Sequence, residues 1–190
     1  MQLAGHTVVY GGSFNPPHLG HQMTCLYLLE ALGADAVWVV PALKHPFGKE
    51  LGDFDSRVAM CELMVAPFGR RARVSRVEEQ VGQSGRTYDT LLTLRQTHPD
   101  LTFALAVGAD ILREAPQWYR WCDLEAMVPV VVIGRPGFPS PRATPVEMPA
   151  VSSAELRRRL VSGGSIEGLV PATVAEYIRH QGLYRPLGEG

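Results

Sequence analysis

The stretch Tyr10-Gly11-Gly12-Ser13-Phe14-Asn15-Pro16-Pro17-His18-Leu19-Gly20-His21 holds the residue types best suited to handling a phosphate. Gly11 and Gly12 let backbone come close to a ligand. A helix beginning beyond the prolines offers unpaired N–H groups and the positive end of its dipole to an anion. His18 and His21 stand three residues apart at that start, close to one helical turn, so both imidazoles can face one bound phosphate. Two such donors stabilise charge developing on a phosphoryl group. Dinucleotide-binding dehydrogenases also place a glycine-rich turn after a first strand. Here, however, the G-x-G-x-x-G spacing is missing, and the second strand ends in Pro41-Ala42-Leu43-Lys44 where an acid should meet a ribose. A zinc site lacks further ligands, since Cys25 lies inside an apolar stripe.

These residues need elements to carry them. Apolar, β-branched runs at Thr7 to Tyr10, Asp35 to Val40, Ala72 to Val77, Leu101 to Val107 and Val128 to Gly134 alternate with helical patterns, the rhythm of βαβ units and a parallel sheet. The third run is interrupted by Arg73, Ser75 and Arg76 and belongs near a sheet edge. After Gly20, Cys25, Leu28, Leu29 and Leu32 share one helical stripe and Leu19, Met23 and Leu26 a neighbouring one, which predicts a helix buried on much of its circumference. Further helices are expected from Asp55 to Ala66 and from Thr87. Pro136 to Pro145 reads as an exposed loop, followed by a small helical tail with Val174, Tyr177 and Ile178 as its buried stripe. Residues 1–150 are therefore expected to form a nucleotide-binding α/β domain, a Rossmann-like doubly wound parallel sheet, with 151–190 a C-terminal helical region that completes the site.

Two more segments carry candidate chemistry. Gly108-Ala109-Asp110 follows the fourth strand, which neighbours the first across the switch point of a doubly wound sheet, so the two strand ends form one crevice. As a bare tripeptide it also reads as a helix N-terminal turn. Ser152-Ser153-Ala154-Glu155 fits a capping box, and the helix start it makes, with Arg157 close behind, can equally hold phosphates. Trp118 and Trp121 have the ordinary alternative of anchoring a helix to the core.

Composition restricts the partners. A formal net charge of -1 gives no global basic field for nucleic acid, and 46% hydrophobic residues suit one packed domain. No run approaches the roughly 20 apolar residues needed to cross a bilayer, so no membrane partner is expected and the protein reads as cytoplasmic. Cys25, Cys61 and Cys122 are odd in number and far apart, which suits reduced, buried thiols. Oligomeric state leaves no mark in the sequence.

The G-G-S-F-N-P-P-H-x-G-H run resembles the signature of the nucleotidylyltransferase superfamily, and specifically of bacterial nicotinate-nucleotide adenylyltransferases. The match continues through Gly108-Ala109-Asp110, Trp118-Tyr119-Arg120-Trp121, Arg135-Pro136-Gly137, Val151 to Arg157 and Leu169-Val170-Pro171 to Leu183-Tyr184, nearly the whole length. The resemblance implies transfer of AMP from ATP to nicotinate mononucleotide, giving nicotinate adenine dinucleotide and pyrophosphate, with Mg2+ bound through the ATP phosphates and no dedicated protein metal site. It implies catalytic roles for His18, His21 and Arg157, and ATP contacts from Gly11, Gly12, Ser13, Phe14, Gly108, Asp110 (near the ribose), Ser152, Ser153 and Lys49. It places His45, Thr87, Trp118 (against the pyridine) and Arg135 on the acceptor.

The chain also departs from the family pattern. In Lys44-His45-Pro46-Phe47-Gly48-Lys49 a proline takes the family's basic position, leaving Lys44 or Lys49 to supply the charge. Arg86 stands where an aromatic residue near the acceptor is usual, and Ala154 replaces a threonine. Two alternatives follow: the same chemistry on nicotinamide mononucleotide or phosphopantetheine, or a non-catalytic nucleotide-binding module, against which intact His18, His21 and Arg157 argue.

Overall fold

A computed structural model describes residues 2–44, 51–82 and 85–184 of the 190-residue chain. His45 and Lys49, expected at the site, lie outside the described residues.

The strands are β1 (His6–Gly12), β2 (Ala36–Pro41), β3 (Ala72–Val74), β4 (Thr102–Gly108), β5 (Val130–Gly134) and β6 (Ala143–Glu147). They form a parallel sheet in the order β3-β2-β1-β4-β5-β6, with β3 at one edge. Alternate side chains leave opposite faces of a strand, and each face here has its own core. Val8, Val37, Val39, Ala104 and Ala106 pack against Cys25, Leu28, Met60, Met64, Leu156 and Ile178. Val9, Trp38, Val40, Phe103, Leu105 and Val107 pack against Leu91, Leu94, Trp121 and Leu124 on the other side. A sheet buried on both faces is what near-continuous apolar strands require.

The helices are α1 (Leu19–Leu26), α2 (Phe54–Val65), α3 (Val77–Val81), α4 (Thr87–Thr97), α5 (Trp121–Met127), α6 (Ser153–Val161) and α7 (Ala172–Gln181). α1 runs on into a π-helical turn, Tyr27–Ala31. α1, α2, α6 and α7 contribute to the first face; α3, α4 and α5 contribute to the second.

Several expectations need correction. The segment read as an exposed loop from Pro136 to Pro145 runs into strand β6, an edge strand whose Pro145 and exposed Glu147 hide it, since an edge tolerates proline and polar residues. The third strand stops at Val74, and Val77 already belongs to α3. α1 is buried on one face only: Cys25, Leu28 and Leu29 belong to the core, whereas Met23 and Leu26 of the second stripe are exposed. Cys122 is exposed too, while Cys25 and Cys61 are buried.

Candidate active site

β1 and β4 lie side by side, Tyr10 opposite Ala106, so Gly11-Gly12 and Gly108 leave the sheet together. Two hollows open over these ends and share Gly108. One, of about 50 Å3, is bordered by Tyr10, His18, His21, Gly108, Arg135 and Val151. The other, of about 170 Å3, is bordered by Gly11, Gly12, Ser13, Glu78, Thr87 and Trp118, among others. The predicted crevice between the first and fourth strands is therefore present, and it divides in two.

His18 and His21 stack at the mouth of α1, ring centroids 3.6 Å apart and planes 21° from parallel. The His18 ring lies over Gly20, where an added Cβ would stand 3.1 Å from its Cε1 and Nδ1 atoms. The N–H of His18 donates to Nδ1 of His21 at 3.1 Å. That bond makes Nδ1 an acceptor and leaves the neutral ring's proton on Nε2. Burial pushes the His18 pKa down to about 4, helped by the charge of Arg135. Burial, then the neighbouring His18 and Arg135, hold His21 well below the usual histidine range. Both rings are thus neutral hydrogen-bond donors at neutral pH.

The helix mouth differs from expectation. Besides the His18 amide, the Leu19 amide bonds the carbonyl of Leu169 at 2.9 Å and the His21 amide that of His18 at 2.9 Å. These three donors serve the protein, so an anion at the helix mouth meets fewer free amides than expected and the imidazoles gain in importance.

The unfolded chain takes up protons on its histidines near pH 6.5, whereas the folded rings resist protonation. The unfolded state therefore binds more protons below that pH, and stability present above it is lost as pH falls toward about 4. Urea unfolding from pH 7 to 4.5 is expected to show a slope approaching about two protons per molecule from this pair, and about one in His18→Gln. An unchanged slope in that variant would refute the depressed pKa of His18.

Phe14 has a left-handed backbone, φ 45, and is 1% exposed. Its ring meets those of Tyr10 and His21 edge-on, at 5.6 and 4.8 Å, so it supports the His21 ring. Gly12 makes room for it: a Cβ there would come within 3.1 Å of the Phe14 ring. Asp110 pairs with Arg135 at 2.8 Å, and its Oδ1 is buried without a partner. A Cβ on Gly108 would fall 2.3 Å from that oxygen, so Asp110 folds back over the glycine. Arg135, expected on the acceptor, borders the histidine hollow instead of the Thr87–Trp118 one.

The start of α6 is stitched to the turn after β1. Ser153 Oγ donates to the carbonyl of Pro16 at 2.8 Å, and Arg157 Nη1 to that of Asn15 at 2.7 Å. Ser152 Oγ accepts from the Glu155 amide, one half of the expected capping box. The other half is absent, because Glu155 turns to Arg158 and Arg159. α4 begins at Thr87 itself, with Arg86 in the cap position, so Thr87 does not cap the helix. Trp118 meets Trp121 edge-on at 5.6 Å, and its Nε1 is buried without a partner.

Two site residues escaped the sequence. Arg57 is 1% exposed and donates to the carbonyls of Gly52, Ser13 and Ala42 at 2.8, 3.0 and 2.8 Å, tying the turn after β1 to the end of β2. Its i−4 neighbour Asp53 makes it look like half of a surface helical pair. Glu78, 5% exposed, sits in the wall of the larger hollow; in the polar stretch Val77-Glu78-Glu79-Gln80-Val81 nothing marked it out.

Among the described residues no group of three or more His, Cys, Asp or Glu is placed to hold a metal ion. The two imidazoles and the Arg135 guanidinium in the histidine hollow are donors that suit the oxygens of a triphosphate, which would itself carry any cation. No helix among the described residues is long and apolar enough to cross a membrane.

A cytidylyltransferase-like family model matches residues 9–159. A protein of Anaeromyxobacter sp. (strain K) described as "Probable nicotinate-nucleotide adenylyltransferase" is 44% identical over 178 residues, covering 92% of this chain and 94% of its own. One of the same description from Myxococcus xanthus (strain DK1622) is 40% identical and covers 97% of each chain. Among solved structures, Plasmodium falciparum nicotinic acid mononucleotide adenylyltransferase complexed with NaAD superposes with a TM-score of 0.78 at 22% identity, over 94% of this chain and 97% of its own. That likeness establishes the fold, the Rossmann-like nucleotidyltransferase sheet.

Proposed function

Since the chain belongs to the nicotinate-nucleotide adenylyltransferase family, we propose that it moves AMP from ATP to nicotinate mononucleotide, releasing pyrophosphate and forming nicotinate adenine dinucleotide. The observation that carries this reading is the stacked pair His18 and His21 in a hollow that shares Gly108 with a second, larger one.

ATP occupies the histidine side of the crevice, with Gly108 beneath it, Gly11, Gly12 and Ser13 reaching it from the adjoining wall of the larger hollow, and Asp110 at its ribose. The acceptor lies in the larger hollow, its pyridine against Trp118, where an aromatic plane suits a flat heterocycle. Its phosphate attacks the α-phosphorus in line, and Arg135 reaches the reacting phosphates from the histidine hollow. An acceptor phosphate is already an anionic nucleophile, so positioning and electrostatics supply the catalysis. The neutral imidazoles donate from Nε2 to the phosphates as charge builds; Arg157 and the two serines of α6 clamp them, exchanging the Asn15 and Pro16 carbonyls for phosphate oxygens. In this way residues 151–190 complete the ATP site. Mg2+, when bound through the ATP phosphates, neutralises their charge. His45 and Lys49 complete the acceptor and triphosphate contacts, and the enzyme works in the cytoplasm.

Pyrophosphate release is measured with ATP, magnesium and each of nicotinate mononucleotide, nicotinamide mononucleotide and phosphopantetheine. Turnover is expected with the first, more slowly or not at all with the second, and not with the third. Turnover of phosphopantetheine alone would overturn the acceptor; ATP binding with no turnover would favour a nucleotide-binding module.

A further inference from the structure

The wall of the acceptor hollow contains a group that a site for an anionic pyridine should avoid. Glu78, on α3, is 5% exposed and lines the hollow together with Thr87, Thr90 and Trp118. The hydroxyl of Thr90, one turn along α4 from Thr87, donates to its Oε1. Oε2 is buried with no partner, as is Nε1 of Trp118 in the same wall. A buried carboxylate oxygen with nothing to accept is costly, and a second carboxylate brought beside it would be costlier still. A proton on Oε2 removes both penalties, because it turns the free oxygen into a donor.

Resting on the acceptor reading above, we propose that Glu78 is a specificity-determining residue of the acceptor hollow, its free carboxyl oxygen donating a hydrogen bond to the negatively charged substituent of the pyridine. With the proton in place the hollow favours the acid. Once ionised, Glu78 repels the acid and accepts from the N–H2 of the amide, so the choice between acid and amide changes sign with one proton. The surroundings favour the proton: burial raises the Glu78 pKa, the Thr90 bond and the Leu43 amide oppose the rise, and Asp89 on α4 adds to it. Other ionisable groups on the elements around it are Arg76 and Glu79 on its own segment, with Arg76 paired to both Glu79 and Asp55. Arg86, at the head of α4, lies over the Tyr119 ring. Glu114 borders the same hollow, and Lys44 follows β2.

The test is the ratio of kcat/KM for nicotinate mononucleotide to that for nicotinamide mononucleotide, followed from pH 5 to 9, the direction of the Glu78 shift placing its loss of a proton above the ordinary carboxylate range. The ratio cancels the titration of the shared phosphate, of ATP and of the histidines. In the wild type it is expected to fall by about tenfold or more across that range. In Glu78→Gln the amide N–H2 takes the place of the protonated oxygen, so the ratio is expected to stay high and independent of pH. Thr90→Val removes a bond that favours the ionised form and is expected to move the fall to higher pH. A flat wild-type ratio, or a Glu78→Gln ratio that falls as the wild type does, overturns the inference. If Glu78→Gln does not fold, the wild-type profile and the Thr90→Val shift decide. Nicotinate turnover with a flat ratio sinks this inference alone, whereas failure of both pyridine nucleotides sinks the acceptor assignment as well.

Discussion

Replacing His21 by leucine is expected to lower kcat by roughly 100-fold or more, and replacing His18 and His21 together by about 1,000- to 10,000-fold, with KM for ATP little changed. The reasoning is geometric. The rings are stacked, neutral and held by protein contacts: His21 through its Nδ1 atom and the edge of Phe14, His18 against Gly20. Donors fixed in advance need no reorganisation when charge appears, so their benefit falls on the transition state. Residues acting on the same charge are not additive, and the double variant should lose less than the product of the single losses. His21→Gln, which keeps a donor near the Nε2 position, is expected to recover part of the rate. Steady-state kinetics with ATP and nicotinate mononucleotide check this; full turnover in the double variant would remove the catalytic role from the pair.

The largest effect on stability is expected at Arg57. Its guanidinium satisfies three backbone carbonyls, those of Gly52, Ser13 and Ala42, from a position 1% exposed to solvent. Arg57→Leu leaves those oxygens without these donors, at a cost of about 3–5 kcal/mol, which for a chain of this size lowers Tm by roughly 10 °C. Arg57→Lys should recover little, since a single ammonium cannot reproduce the planar fork that reaches three acceptors. Thermal and urea unfolding measure both variants. A loss below about 1 kcal/mol in the leucine variant would mean that the carbonyls find other partners. The same substitution frees Ser13 from α2, so the KM for ATP should rise even where the fold survives.

The sequence and the structure divide this account in a physically sensible way. Patterning reports how apolar a segment is, so the unbroken apolar runs Val8-Val9 and Val37 to Val40 predicted strands of a parallel sheet, and the structure buries them on both faces. Local chemistry was legible for the same reason: a glycine turn with two histidines one helical turn apart is set by positions close in the chain. β6 was not legible, because an edge strand needs little apolar character. The exposed face of α1 was not legible either, because apolar residues such as Met23 and Leu26 also occur on surfaces.

By itself, then, the chain's sequence determined the parallel α/β architecture, the glycine turn with its two histidines and the membership of a family. Only the tertiary structure decided that His18 and His21 are neutral, that Arg57 ties the turn to β2, that Arg135 pairs with Asp110, and that Glu78 faces the larger hollow with a free oxygen. Each of these depends on groups brought together from distant segments and on the water they lose when they meet, and neither distance nor desolvation is written in residue order.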